Sequence, residues 1–394
     1  MRLLHTSDWH VGKMIRSRSR MEEFAQVLDE IVDIAVDRQV DAVLVAGDVF
    51  DSKVPPPEAE QLVYETLLRL HFEGIRVVVT AGNHDSEKRL ESVRGLLEAL
   101  GVVLVAEPNH KTFAELVDVP SRDGSEAALV AALPFMSERF LIQSADVMAE
   151  AGAKYSRYST GMKAIIDAIT PHFRADTFNV LAAHFMVSGA RVGGGEQEIT
   201  IGMSYAVEPA SLPQSAVQYM AFGHVHRPQE IPGSLMTGRY SGSLLQLDFG
   251  ETEQDKSVVI VDGHPGQMAK TEVVPLSSGR RLVDLHDTLE GLEGRAAEVG
   301  DAHLRVFVHL DAPMPGLSDR VREVLPNAVD VKAVYPAAPD EEPREVRSLR
   351  PDQQFRLYHE RVRKSPASPV LMAAFEEVHA EAALGEKVDA APPA

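Results

Sequence analysis

Ile75-Arg76-Val77-Val78-Val79-Thr80-Ala81-Gly82-Asn83-His84-Asp85 is an apolar run that stops on glycine and then presents an amide, an imidazole and a carboxylate. Residues 75–80 read as a strand. Its tip does not look like the end of a packing element. Asn83 offers a neutral oxygen to a hard cation, and His84 offers a proton near neutral pH. Neither choice helps a core. Taken alone, the stretch also fits a polar turn of the Asn-Gly kind, so its meaning depends on how the other strands end.

They end in the same manner. Arg2 to Thr6 reads as a buried first strand followed by Ser7-Asp8-Trp9-His10. In an extended segment the i, i+2 spacing of Asp8 and His10 sends both side chains to one side, leaving Trp9 to pack on the other. Ala42 to Ala46 is a continuous apolar run, as in a strand covered on both faces, and it ends in Gly47-Asp48-Val49-Phe50-Asp51. Phe178 to Ala183 ends on His184, and Val217 to Phe222 ends on Gly223-His224-Val225-His226. Helical patterns over 21–38, 58–73 and 86–100 separate the early strands, with Pro55-Pro56-Pro57 as a stiff helix entry. Such alternation defines an α/β arrangement with its site at the carboxyl ends of the strands. Strands near 238–247, 257–262 and 271–276 have few helices between them and read as antiparallel.

The bulk numbers narrow the chemistry. A chain of 394 residues is long enough for two or three domains. It contains no cysteine, which excludes disulfides, thiolate zinc sites and cysteine nucleophiles and permits a reducing cytoplasm. No signal peptide and no membrane-length apolar run is read. The net charge of −20 argues against broad attraction to nucleic acid, so any such contact needs a local patch. Asp8, His10, Asp48, Asn83, His184, His224 and His226 are oxygen and imidazole donors that suit Mn²⁺, Fe²⁺, Mg²⁺ or Zn²⁺. Seven donors are too many for one ion and suit two ions sharing a carboxylate, an arrangement that clamps both oxygens in phosphoryl transfer.

Asp8-X-His10, Gly47-Asp48-X-X-Asp51, Gly82-Asn83-His84-Asp85, His184 and Gly223-His224-X-His226 resemble the five motifs of the calcineurin-like metallophosphoesterases over roughly residues 1–275. Within that superfamily, His5 to Gly12 and Val45 to Asp51 look closest to the bacterial counterparts of the double-strand-break nucleases. The resemblance implies a four-layer sandwich in which two mixed β-sheets are flanked by helices. It implies that Asp8, His10, Asp48 and His226 hold one ion, that Asp48, Asn83, His184 and His224 hold the other, and that Mn²⁺ is the preferred metal. His84 would act on the leaving oxygen, with Asp51 as its orienting partner; Asp85 is a weaker candidate for that part. The implied function is a Mn²⁺-dependent DNA exonuclease and endonuclease in DNA repair and recombination. It would work with an SbcC-like ATPase, as a homodimer within a heterotetramer, cytoplasmic and nucleoid-associated. A nucleotide or cyclic-nucleotide phosphoesterase would share the ligands, and a noncatalytic scaffold would have lost some.

Further along, Ser277 to Arg281 reads as a linker after a first domain, 1–276. A small α+β capping domain is expected over 280–336, with a helix near 284–297, a strand Leu304 to Leu310, a helix near 317–325 and a strand Val329 to Val334. A proline-rich acidic break precedes a helical segment, 350–385, and a disordered tail, 386–394. Phe355, Tyr358, Leu371 and Phe375 lie on apolar faces that either pack on the parent domain or, as favoured here, dock a partner helix. Lys13, Arg16, Arg18 and Arg20 form the densest basic stretch near the first ligand pair. They either grip DNA phosphates or form a solvated loop.

Overall fold

The computed structural model describes residues 1–109, 112–137, 140–141, 157–193, 206–336, 351–363 and 365–375. The chain divides into two units, Met1–Val334 and Tyr335–Ala394.

The first unit is built on two six-stranded sheets. In one, strands β1 (Arg2–Thr6), β2 (Ala42–Ala46), β3 (Arg76–Thr80) and β4 (Val102–Val105) run parallel. The other contains β5 (Glu115–Pro120), β6 (Ala127–Leu133) and β7 (Phe178–His184), with β5 antiparallel to β6. After the short pair β8 (Met186–Val187) and β9 (Ala206–Val207), the second sheet gains β10 (Tyr219–Gly223), β11 (Gln229–Glu230) and β12 (Gly238–Tyr240). The first sheet is completed by β13 (Ser257–Asp262) and β14 (Lys270–Pro275), each antiparallel to its neighbour. Strand orders are β14-β13-β1-β2-β3-β4 and β11-β12-β10-β7-β6-β5.

The apolar pattern explains why the sheets stack. Alternate residues of the central strands form one core between them, including Leu3, Leu44, Val78, Val130, Val180 and Ala221. The opposite face of the first sheet packs on helices α1 (Met21–Asp37), α2 (Pro57–Phe72) and α3 (Glu87–Ala99) through residues such as Leu4, Val43, Phe24, Leu28, Leu67 and Leu97. The outer face of the second sheet packs on α4 (Arg157–Ile169) through Leu181, Phe222, Met162 and Ile166. Each buried aliphatic side chain stabilises this stack by roughly 1.5–3 kcal/mol. The layer order is helix, sheet, sheet, helix, as the resemblance implies. Three parallel ladders side by side (β1–β2, β2–β3 and β10–β7) bring the carboxyl ends of these strands to one edge.

Some local readings need correction. Only Gly238–Tyr240 of the expected strand 238–247 is extended, and it runs parallel to β10. The strand Glu115–Pro120 pairs with β6 and had no clear signal in the sequence. The stretch expected as a helix from 284 begins as strand β15 (Leu282–Asp287), and helix α5 (Leu289–Val299) follows it. Strand β15 joins β16 (His303–His309) and β17 (Ala328–Val334) in a parallel sheet, with α6 (Leu317–Val324) between the last two strands and a separate apolar core around Leu285, Leu304, Val306 and Val321.

In the second unit, helix α7 (Pro351–Arg363) is followed by helical residues 369–375, and Phe355 stacks on Phe375 with ring centroids 4.2 Å apart. These two rings therefore contact each other, while Tyr358 and Leu371 are exposed. The remainder of the expected helical segment, 376–385, and the tail 386–394 lie outside the described residues.

Candidate metal centre

All seven expected ligands sit at the shared strand edge. Asp8 and His10 follow β1, Asp48 follows β2, Asn83 follows β3, His184 closes β7, and His224 and His226 follow β10. Asp8, His10, Asp48, His184, His224 and His226 are all buried. Donor atoms of Asp8, His10 and His226 lie within 4.8 Å of one another, and so do those of Asp8, Asp48 and His184.

The backbone reaches this geometry by a route different from the extended one expected. Asp8, His10, Asp48 and His224 all have left-handed φ, at 49°, 46°, 51° and 89°. Non-glycine residues seldom adopt that region, and they are held there when surrounding structure over-determines it. The hold is visible. Asp8 N–H donates to Gly47 O and His10 N–H to Asp48 O, which splices the first two strand ends together. Asp8 Oδ1 accepts from His224 N–H at 2.9 Å, and Asp48 Oδ1 accepts from His84 N–H at 2.8 Å. Gly82 is required by proximity: a Cβ there would stand 2.1 Å from Asp48 Oδ1.

The donor set fits cations. His184 Nδ1–H donates to Ala46 O at 2.8 Å, so a neutral ring turns its Nε2 lone pair toward Asn83 Oδ1 at 3.0 Å and Asp48 Oδ2 at 3.2 Å. His226 Nδ1 lies 3.1 Å from Glu251 Oε1, which points the other nitrogen at His10 Nε2, also 3.1 Å away. Asn83 Oδ1 is also 2.9 Å from His224 Nδ1. Lone pairs do not converge on one another in a buried site without a positive charge between them. The ionisation pattern agrees. Burial alone would raise the Asp48 carboxyl, yet His184, His10 and His84 hold it well below the usual carboxylate range. Burial would lower His184, yet Asp48 pushes it up to about 9.

His84 is half-buried at the rim, and its ring meets the edge of His10. Its orienting residue is Asp51, but through the main chain and not through the carboxylate. His84 Nδ1–H donates to the backbone carbonyl of Asp51 at 2.9 Å. The Asp51 carboxylate points to His10 Nδ1 at 3.4 Å, a long approach, and to Lys13 Nζ at 3.1 Å. Asp85 is a brace: its carboxylate accepts from the N–H groups of Val49, Phe50 and Gly82. Burial and nearby Asp48 raise it to about 6.

The basic loop also departs from expectation. Arg20 is 1% exposed, and its guanidinium donates to Glu23 and to Gln246 O. Arg18 donates to Pro326 O, and Arg16 pairs with Asp330. Arg16 and Arg18 tie the first sheet's loop to the 282–334 layer, where Ile15, Phe249, Leu282 and Val329 share a small apolar cluster. Burial takes Arg20 away from the surface a DNA phosphate could reach, while Arg16 and Arg18 keep their partners at the exposed edge of the loop. Lys13 remains one-third exposed. Glu251 and Lys256, buried behind His226, had no sequence signal, because neither follows an apolar strand.

A fold of two mixed sheets between helices, with oxygen and imidazole donors at one strand edge, defines a metal-dependent phosphoesterase. Residues 1–228 match the calcineurin-like phosphoesterase family. The chain is 36% identical over 373 residues to the SbcD component of nuclease SbcCD from Bacillus subtilis (strain 168), covering 92% of this chain and 93% of that protein. It is 34% identical over 321 residues to the SbcD component from Escherichia coli (strain K12), covering 79% and 77%. The SbcD component from Rhodobacter capsulatus is 35% identical over 274 residues, 66% of each chain. The chain belongs to the calcineurin-like phosphoesterases and, within them, to the SbcD nucleases.

Proposed function

We propose that this chain is a two-metal DNA phosphodiesterase, an exonuclease and endonuclease that works with an SbcC-type ATPase in DNA repair and recombination. The observation that carries this reading is the convergence of seven oxygen and nitrogen donors, with lone pairs facing one another, at a strand edge where His84 forms the rim. Asp8, His10, Asp48 and His226 would hold one ion, and Asp48, Asn83, His184 and His224 the other, with Mn²⁺ as the metal. Bound divalent ions would supply Lewis-acid polarisation of phosphate and activation of water.

The chain's residues do the rest. Asp48 keeps Oδ1 on the His84 N–H, which leaves Oδ2 to face both sides of the centre. His84, turned by its Nδ1 bond to Asp51 O, has Nε2 left for the scissile group, where it stabilises or protonates the leaving oxygen. Asp51 acts on His84 through its carbonyl and on His10 through its carboxylate. Lys13 remains the candidate phosphate contact of the basic loop.

On the larger scale, residues 1–276 serve as the nuclease domain and 280–336 as a cap. Residues 350–385 bind the ATPase through Tyr358 and Leu371, with Phe355 and Phe375 setting the shape of that segment. The chain works as a homodimer within a heterotetramer in the cytoplasm, at the nucleoid. The test is cleavage of linear duplex and hairpin DNA with Mn²⁺, alone and with an SbcC-type partner. Digestion that is lost in His84→Ala supports the reading. Protein that hydrolyses only small phosphodiesters under all those conditions overturns it.

A further inference from the structure

Glu251 and Lys256 form an ion pair that is almost completely buried, at 0% and 6% exposure. Glu251 Oε2 lies 2.7 Å from Lys256 Nζ and also accepts from Leu247 N–H at 3.0 Å. The ammonium donates in addition to His226 O, Ser243 Oγ and Gln254 Oε1, each within 3.0 Å. Both charges are thus fully engaged. A buried pair of this kind is weak evidence for stability, since apolar residues of similar volume often serve as well. Its placement indicates another use. The second carboxylate oxygen, Oε1, meets the His226 ring at Nδ1, and the opposite nitrogen, Nε2, faces His10.

We infer that Glu251, fixed in place by Lys256, is a positioning residue that locks His226 with Nε2 toward the metal centre and makes the His10–His226 ion site the tighter of the two. This rests on the two-ion reading above. Two other candidate ligands, His184 of the opposite ion site and His10 of the same one, have weaker support. His184 is oriented by a neutral backbone carbonyl, that of Ala46. His10 has only the long Asp51 approach at 3.4 Å, from a carboxylate that is one-quarter exposed. A charged acceptor makes the stronger hydrogen bond and raises the basicity of the ligand it holds. Lys256 holds that acceptor in a single orientation, because its ammonium is itself fixed among four oxygens. The ion site containing His226 therefore needs less reorganisation when metal enters.

The experiment is calorimetric titration of metal-free, full-length protein with Mn²⁺ alone, with melting temperatures of the metal-free forms as a check on folding. Glu251→Gln is compared with the double variant Glu251→Gln/Lys256→Met, which removes both buried charges together. Wild-type protein is expected to take up two ions in distinguishable steps. In both variants the tighter step should weaken by about 10–100-fold while the other is unchanged. In ¹⁵N-imidazole spectra, the Nδ1–H tautomer of His226 should be uniform in wild type and mixed in Glu251→Gln. Unchanged binding overturns the inference. So does equal weakening of both steps with a fall in melting temperature, or failure of both variants to fold, since either makes the pair merely structural. Wild-type protein that binds fewer than two Mn²⁺ ions rejects the two-ion reading itself, before any variant is compared.

Discussion

Asp51 meets its two histidine neighbours with two different groups. Its carbonyl orients His84, while its carboxylate approaches His10. Asp51→Ala should therefore weaken metal binding, read as a higher Mn²⁺ requirement, and leave activity at saturating metal within about tenfold. His84→Ala should behave in the opposite way. It should keep its Mn²⁺ stoichiometry and lose about 10²–10⁴ in kcat on DNA, measured at saturating metal. Gly82→Ala is expected to damage the centre without replacing any ligand. Its new methyl would stand 2.1 Å from Asp48 Oδ1, and displacing that carboxylate should lower both metal affinity and the melting temperature.

At the scale of elements, the loop from Lys13 to Arg20 is a fastener between the sheet and the 282–334 layer. Arg20 and Glu23 meet inside it, and His303 Nε2 lies 2.8 Å from Glu23 Oε1. Arg20→Ala leaves Glu23 with fewer partners in a dry place and should destabilise the fold by about 3–5 kcal/mol in denaturant melts. Arg16→Ala removes only a half-exposed pair with Asp330 and should change stability by less than about 1 kcal/mol. Burial would raise Glu23, but His303 and Arg20 overcome it and hold the carboxyl at about 2, below its ordinary 4.5. A carboxyl depressed in the folded state contributes stability that is complete above the unfolded value and lost as pH falls toward the folded one. Acid melts should therefore show this contribution disappearing between about pH 4.5 and 2. The loss should be absent from a Glu23→Gln variant that has already forfeited it.

Taken as a whole, the molecule places its candidate metal centre in one unit, and the exposed side chains Tyr358 and Leu371 belong to the other. Replacing both with aspartate should abolish capture of an SbcC-type ATPase in a pull-down. Hydrolysis of a small phosphodiester by the isolated chain should remain within about twofold, because neither residue belongs to the metal centre. Among the described residues, no helix is long and apolar enough to cross a membrane.

The convergence of the seven candidate donors was legible in the sequence for a simple physical reason. Each donor follows an apolar run that can only be a buried strand, and parallel strands in adjacent ladders deliver their ends to one edge. The same runs gave the α/β arrangement, and the family resemblance implied the layered sandwich. Long-range partners were not legible. The turn of Asp51 away from His84, the burial of Arg20 against Glu23 and Gln246 O, and the Glu251–Lys256 pair behind His226 all join residues from separate elements. Local pattern constrains a residue's own backbone and its burial. Which charge meets which is decided only when sheets and loops close on one another, since a buried charge must find its partner wherever the fold supplies one. So the sequence determined the metal-binding edge, and the tertiary structure decided how each ligand is held.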